Sequence, residues 1–263
     1  MLGESASYLV KKGVTMRHFP MGTVLALTLI VSACGLSQNA RKQASYHHQM
    51  GQSYLAENNV TRALLELTEA EKLDPDNPEL LCNLGLAYFR KNKFELAEQK
   101  YQKAISLKPD YSEARNRLGV NYMEMKRWDD AIHQFRFVTE DIFFPDQEAA
   151  SINLGLAYFG KGDYPKALSV LRSVVNTYSG NPRGRLHLGR VYFALDKVDL
   201  AIAEYRKAID IYGDYVGAYY NLGIAYLKLK DYQKAGATFR EVLRIAPNSE
   251  LGQLSREYLN SLK

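Results

Sequence analysis

The side chains able to do chemistry are few, and they do not converge. His47 and His48 sit together, while His18, His133 and His187 stand apart, none with a second ligand at a metal spacing. Cys82 is a lone thiol, a residue type that commonly serves as a small packing group. Gly155-Leu-Ala-Tyr-Phe-Gly160-Lys161-Gly162 comes near the spacing of a phosphate-binding loop, but Gly162 stands where that loop needs Ser or Thr. Such a loop also needs a strand before it and a helix after it, so that free amides can cradle phosphate. These residues therefore predict no catalytic group, no metal, no cofactor and no small-molecule substrate.

Cys34 is different, because what precedes it gives it a chemistry. From Met16 the chain reads Met-Arg-His-Phe-Pro-Met, then an apolar run from Gly22 to Val31, then small residues ending at the cysteine. A basic start, a short apolar core and a small-residue cut make a secretory signal, too short to span as a membrane helix. Val31-Ser32-Ala33-Cys34 resembles the bacterial lipobox, which places lipid on the cysteine and cleaves just before it. Residues 1–33 are then a lipoprotein signal peptide, with Met16 the expected start of translation, and Cys34 is the lipidated first residue of a tether over 34–43. Gly35 is not the Asp that favours inner-membrane retention in enteric bacteria, so the expected location is the outer membrane, on its periplasmic face. Losing residues 1–33 removes Lys11, Lys12, Arg17 and Glu4, which lowers the formal charge from +5 to +3. That is too mild for nucleic acid, which wants a concentrated basic stripe. With Cys34 acylated, Cys82 has no disulfide partner.

The remainder is a repeat. Gly51, Gly85, Gly119, Gly155, Gly189 and Gly223 are spaced by 34, 34, 36, 34 and 34 residues, and a period in the thirties points to a helical solenoid. In residues 78–111, Leu81, Leu84 and Tyr88 mark one helix and Leu96, Ala97, Tyr101 and Ala104 a second, with Asn92-Lys93 as the turn and Pro109 as the stop. Leu84-Gly85, Tyr88, Phe94, Ala97, Tyr101, Ala104 and Pro109 resemble the marker positions of the tetratricopeptide repeat family. The implied fold is all-α: a right-handed superhelical solenoid of six repeats over 44–77, 78–111, 112–147, 148–181, 182–215 and 216–249. Leu251, Leu254, Tyr258 and Leu262 follow at helical spacing, which predicts a capping helix over 250–263.

The spacing of 36 places a two-residue insertion within 141–147, where Phe143 and Phe144 either plug the neighbouring repeat or form an exposed contact for a partner. Elsewhere the first helices of the repeats line a concave groove suited to an extended peptide or a partner helix. Positions five, nine and twelve of each repeat supply the candidate lining: Leu86, Phe89, Val120, Met123, Ile152, Leu156, Phe159, Phe193, Tyr220 and Ile224. They describe an apolar groove, or else side chains that merely pack between adjacent first helices. The carboxylate clamp known in this family is not expected, since Asn83 and Arg117 match it but His48, Gln52 and Glu113 do not.

The lipobox, the tether, the six copies and the stretch Phe143-Phe144-Pro145 before Asn153-Leu154-Gly155-Leu156 together resemble the type IV pilus biogenesis lipoprotein family, the PilF, PilW and Tgl group. The resemblance implies a pilotin, a non-enzymatic scaffold that helps pilus secretin subunits assemble or reach the outer membrane. An adaptor that docks peptidoglycan hydrolases is the alternative use of the same surface. The lipobox reading predicts that Cys34→Ala moves the protein out of the membrane fraction. Unchanged co-fractionation with the outer membrane would contradict it.

Overall fold

The computed structural model of the chain describes residues 22–261, with side chains from residue 38 onward. The expected start at Met16 and the basic segment before Gly22 lie outside the described residues. The described residues form thirteen helices and no strand: α1 Gly22–Ala56, α2 Val60–Leu73, α3 Pro78–Arg90, α4 Phe94–Leu107, α5 Ser112–Glu124, α6 Trp128–Glu140, α7 Gln147–Lys161, α8 Tyr164–Thr177, α9 Pro182–Ala194, α10 Val198–Ile211, α11 Val216–Lys228, α12 Tyr232–Ile245 and α13 Glu250–Ser261. Among them no helix is long and apolar enough to cross a membrane.

Local signals set the helix ends. Asn77 accepts from the amides of Glu79 and Leu80, both at 3.1 Å, with Pro78 at the first helical position, and Asn181 does the same for Arg183 and Gly184 ahead of Pro182. A side-chain oxygen on an otherwise free amide, followed by a ring already fixed near helical φ, starts a helix at low cost. Each pair turns on a left-handed residue at the fifteenth position of its repeat: Asn58, Asn92, Lys126, Gly162, Asp196 and Lys230, with φ between 56° and 85°. Glycine tolerates that conformation freely, and Asn and Asp accept it better than lysine does.

Packing within a pair rests on a missing side chain. A Cβ built on the glycine at position eight would lie 2.4–2.7 Å from the side chain sixteen residues on, namely Leu67, Tyr101, Phe135, Leu171, Tyr205 and Phe239 in turn. The absence of a Cβ lets the second helix settle close enough to bury that residue, and Tyr101, Phe135, Tyr205 and Phe239 are among the largest fully buried side chains. The order Leu, Tyr, Phe occurs twice, 104 residues apart, as do Asn77-Pro78 and Asn181-Pro182, and Lys126 and Lys230. The chain is thus two blocks of three repeats. The two-residue insertion falls at their junction.

That insertion separates its two aromatics. Phe144 is 5% exposed and packs with Val138 and Ala150, so it is the plug, while Phe143 is 87% exposed beside Ile142 at 80%. At the N-terminal end, Gly35–Gln43 belongs to α1 and is helical, where the sequence pattern suggested an extended tether. Nine helical residues reach roughly 13 Å rather than roughly 30 Å.

The last described helix differs from those before it. In α13 the positions that would receive another second helix carry Gln253, Arg256, Glu257 and Asn260, all exposed, with Glu257 where the other repeats have glycine. A polar outer face of this kind is what a capping helix presents. The inner face packs closely: Tyr258 stacks on Phe239 at 5.1 Å, and a Cβ on Gly252 would be 2.3 Å from the carbonyl oxygen of Ala246.

Gly189→Ala drives a methyl into Tyr205 and should cost about 1–3 kcal/mol, as overpacked cores do. Gly180→Ala meets nothing within 4 Å and should change stability by less than about 0.5 kcal/mol. Urea unfolding of the two variants checks this, and equal midpoints would contradict the packing account.

Candidate partner-binding groove

The contacts between helices identify the concave side. Each odd-numbered helix brings its backbone close to that of the next odd-numbered helix, from α1 and α3 through to α11 and α13, whereas among the described residues the backbones of even-numbered helices stay farther apart and meet only through long side chains. The first helices of the repeats therefore crowd together on the inside of the curve and the second helices fan out on the outside.

Most of the predicted lining lies on that inner side, packed on the core but still reachable. Leu86, Phe89, Val120, Met123, Leu156, Phe159, Phe193, Tyr220 and Ile224 are all half-buried. The rings at position twelve brace their own turns, Phe89 against Phe94 at 5.7 Å and Phe159 against Tyr164 at 5.4 Å. Phe193 lies 4.9 Å from the ammonium of Lys228, which is itself paired with Asp196. Tyr220 is tilted on Phe239 at 6.1 Å. Ile152 is a correction: it is 1% exposed, as core as Cys82 at the same position of the second repeat. In these two repeats position five lies in the seam between helices rather than on the groove, whereas Tyr220 at the same position of the sixth repeat stays half-buried.

The polar residues near the first repeats are already occupied. Asn83 Nδ2 and His48 Nε2 are 2.9 Å apart, and Arg117 bridges Glu113 at 2.6 Å on the next turn of α5. Burial holds His48 below its ordinary value, and it pushes the Cys82 thiol up to about 11, so that thiol stays protonated and unreactive. His47 pairs with Glu66 at 2.7 Å, and His133 lies beside Gln134. Among the described residues no three His, Cys, Asp or Glu side chains are grouped to hold a metal ion. Gly155 is inside α7 and Gly162 is its left-handed cap, so the run that approached a phosphate loop is a helix and its turn.

One set of groove residues was not singled out in the sequence. Arg183, His187 and Arg190 fall four and three residues apart on α9, which aligns them on one face. Arg190 Nη1 is 3.4 Å from His187 Nδ1, and its guanidinium lies 5.1 Å from the Phe159 ring. Arg183 reaches across to α7 and donates to Asn153 Oδ1 at 3.3 Å. Burial first, then the charges of Arg190 and Arg183, push His187 down to about 3. The signal was present as the single charged residue among six otherwise apolar or amide ninth positions.

A family model described as tetratricopeptide repeat matches residues 116–182 and 186–250, another of that description matches 78–111, and one described as TPR repeat matches 51–92. The chain belongs to the tetratricopeptide repeat family. In structure it is similar to PilF of Pseudomonas aeruginosa, with a TM-score of 0.68 and 18% identity over 83% of this chain and 99% of that one. It is similar also to PilW, described as a widely conserved type IV pilus biogenesis factor, with a TM-score of 0.73 and 19% identity over 80% and 97%. A third likeness is YrrB, described as a TPR protein with an unusual peptide-binding site, at 0.53 and 18% over 73% and 97%. Identities this low carry the fold alone. A search of curated proteins found no significant match.

The half-buried His187 makes a pH prediction. The unfolded chain takes up a proton on His187 near 6.5, while the folded chain keeps it neutral down to about 3. The unfolded state binds more protons between those values, so stability falls as pH falls through that window. His187→Gln should lessen the loss of stability between about pH 7 and about pH 4, read as urea midpoints. An unchanged pH dependence would contradict the assignment.

Proposed function

We propose that this chain is a lipid-anchored pilotin, held at the periplasmic face of the outer membrane through Cys34, whose concave groove binds subunits of a type IV pilus secretin during assembly. The observation that carries the reading is the likeness to PilF and PilW, which runs over 99% and 97% of their solved chains rather than over a few shared repeats. The lipobox supports it, since a scaffold that delivers a membrane complex needs its own hold on that membrane. The half-buried apolar row from Leu86 to Ile224 supports it too, because such a row gains when a partner covers it. The work asked of the protein is binding and placement, which is the ordinary use of this fold.

The test is a paired substitution in the third and fourth repeats. Val120→Glu with Leu156→Glu places two charges in the groove at half-buried positions and should leave the helical circular dichroism intact. Secretin multimers should then fail to form in a strain carrying only the variant. Normal multimers would sink the proposal, and loss of helicity would show that these residues are core. Recovery of peptidoglycan hydrolases, with no secretin, on the wild-type protein would favour the adaptor reading.

A further inference from the structure

The groove changes electrical sign along its length. At positions two and six, the second repeat carries Glu79 and Asn83, the third carries Glu113 and Arg117, and the fifth carries Arg183 and His187, with Arg190 one turn further on. In the third repeat the cation is neutralised, because Arg117 bridges Glu113 at 2.6 Å. In the fifth, none of the ion pairs among the described residues involves Arg183 or Arg190. Their recorded neighbours are an amide oxygen on Asn153, an imidazole on His187 and the ring of Phe159, none of which cancels a charge. Carboxylates are not scarce in the surrounding repeats: Glu204 takes Arg185 and Lys207, Asp214 takes Arg244, and Asp196 takes Lys228. Arg183 and Arg190 thus keep their charge uncancelled on the inner side of the stack, Arg190 beside the Phe159 ring and Arg183 beside Asn153.

We infer that Arg183 and Arg190, flanked by Phe159, Leu156 and Asn153, form a subsite for a side-chain carboxylate of an acidic peptide segment lying along the groove. The inference rests on the reading of the concave face as the binding surface, and it deepens that reading by giving the partner segment a chemistry and a direction. A guanidinium presents a planar fork that matches a carboxylate in two parallel hydrogen bonds, and it is held less tightly by water than an ammonium is. Half-buried apolar walls lower the local dielectric and strengthen that attraction. Arg190 is kept over the Phe159 ring, which fixes the fork before a ligand arrives. His187 is lowered first by burial and then by these guanidiniums, and Tyr205 and Tyr215 are raised by burial against a smaller opposing pull from nearby guanidiniums. Glu79 at the other end repels an acidic residue, and the Arg117–Glu113 pair there offers no free cation, so the acidic part of the segment lies over the fourth to sixth repeats and its apolar part over the second and third.

The experiment uses the full chain and two synthetic peptides of leucine, glycine and glutamate, acetylated and amidated so that side-chain carboxylates are their only anions. The second peptide has glutamine in place of every glutamate. Calorimetric titration should show the glutamate peptide binding at least about tenfold more tightly than its twin, with affinity falling as salt rises. Arg183→Gln with Arg190→Gln should remove that preference at an unchanged melting temperature, while Arg172→Gln on the exposed side of α8 should keep it. Equal affinity for the two peptides, no binding by either, a preference that survives the double substitution, or tighter binding of inorganic phosphate or a single-stranded oligonucleotide would each overturn the subsite. A failure here while Val120→Glu with Leu156→Glu still blocks secretin assembly removes the carboxylate subsite and leaves the groove's role standing.

Discussion

The structure depends on one contact made six times, a glycine in the first helix of each repeat lying under a large side chain of the second. With no Cβ at that point the two helices close on each other and bury a leucine, tyrosine or phenylalanine whole. Closeness within the pair then sets where the next pair can sit, and the smaller spacing on the first-helix side bends the stack inward. The groove is the result. Its lining consists of the side chains that this packing leaves half covered, so groove lining and core are alternating positions of the same helices.

Because the contact is so regular, most of the fold was legible in the chain. Glycine spacing, the alanines and tyrosines, and the stopping prolines gave the number and limits of the repeats, and the insertion stood out as a break in period. What escaped had a physical reason in each case. Ile152 looked like groove lining because position five is amphiphilic across the repeats, yet here it drops into the seam between first helices. Leu96 looked like core by periodicity and is 40% exposed, since its neighbour Ala97 takes the close approach. Phe143 and Phe144 are adjacent in sequence, and only the path of the loop decides which one turns inward. The helical run over Gly35–Gln43 has no apolar period of its own and continues the first repeat's leading helix. The terminal helix was expected from Leu251, Leu254 and Tyr258, but its tightest residues are Gly252 and Ser255, which carry no hydrophobic signal.

The charged residues tell a complementary story. Ion pairs such as Lys100 with Glu71 and Arg127 with Glu98, at 2.6 and 2.7 Å, tie neighbouring second helices across the outer side. They leave the inner side to apolar contacts and a small number of uncancelled charges. A surface of this kind holds a segment by apolar area and orients it by the charges at its ends. That division suits a protein-binding scaffold of the tetratricopeptide repeat kind.

The central claim is that the inner side of the stack, not the outer, meets the partner. A photo-reactive amino acid placed at Leu156 on α7, and separately at Arg172 on the exposed side of α8, tests it in cells that assemble pili. The account predicts a cross-link to secretin from position 156 and none from position 172. A cross-link from position 172 alone would contradict it.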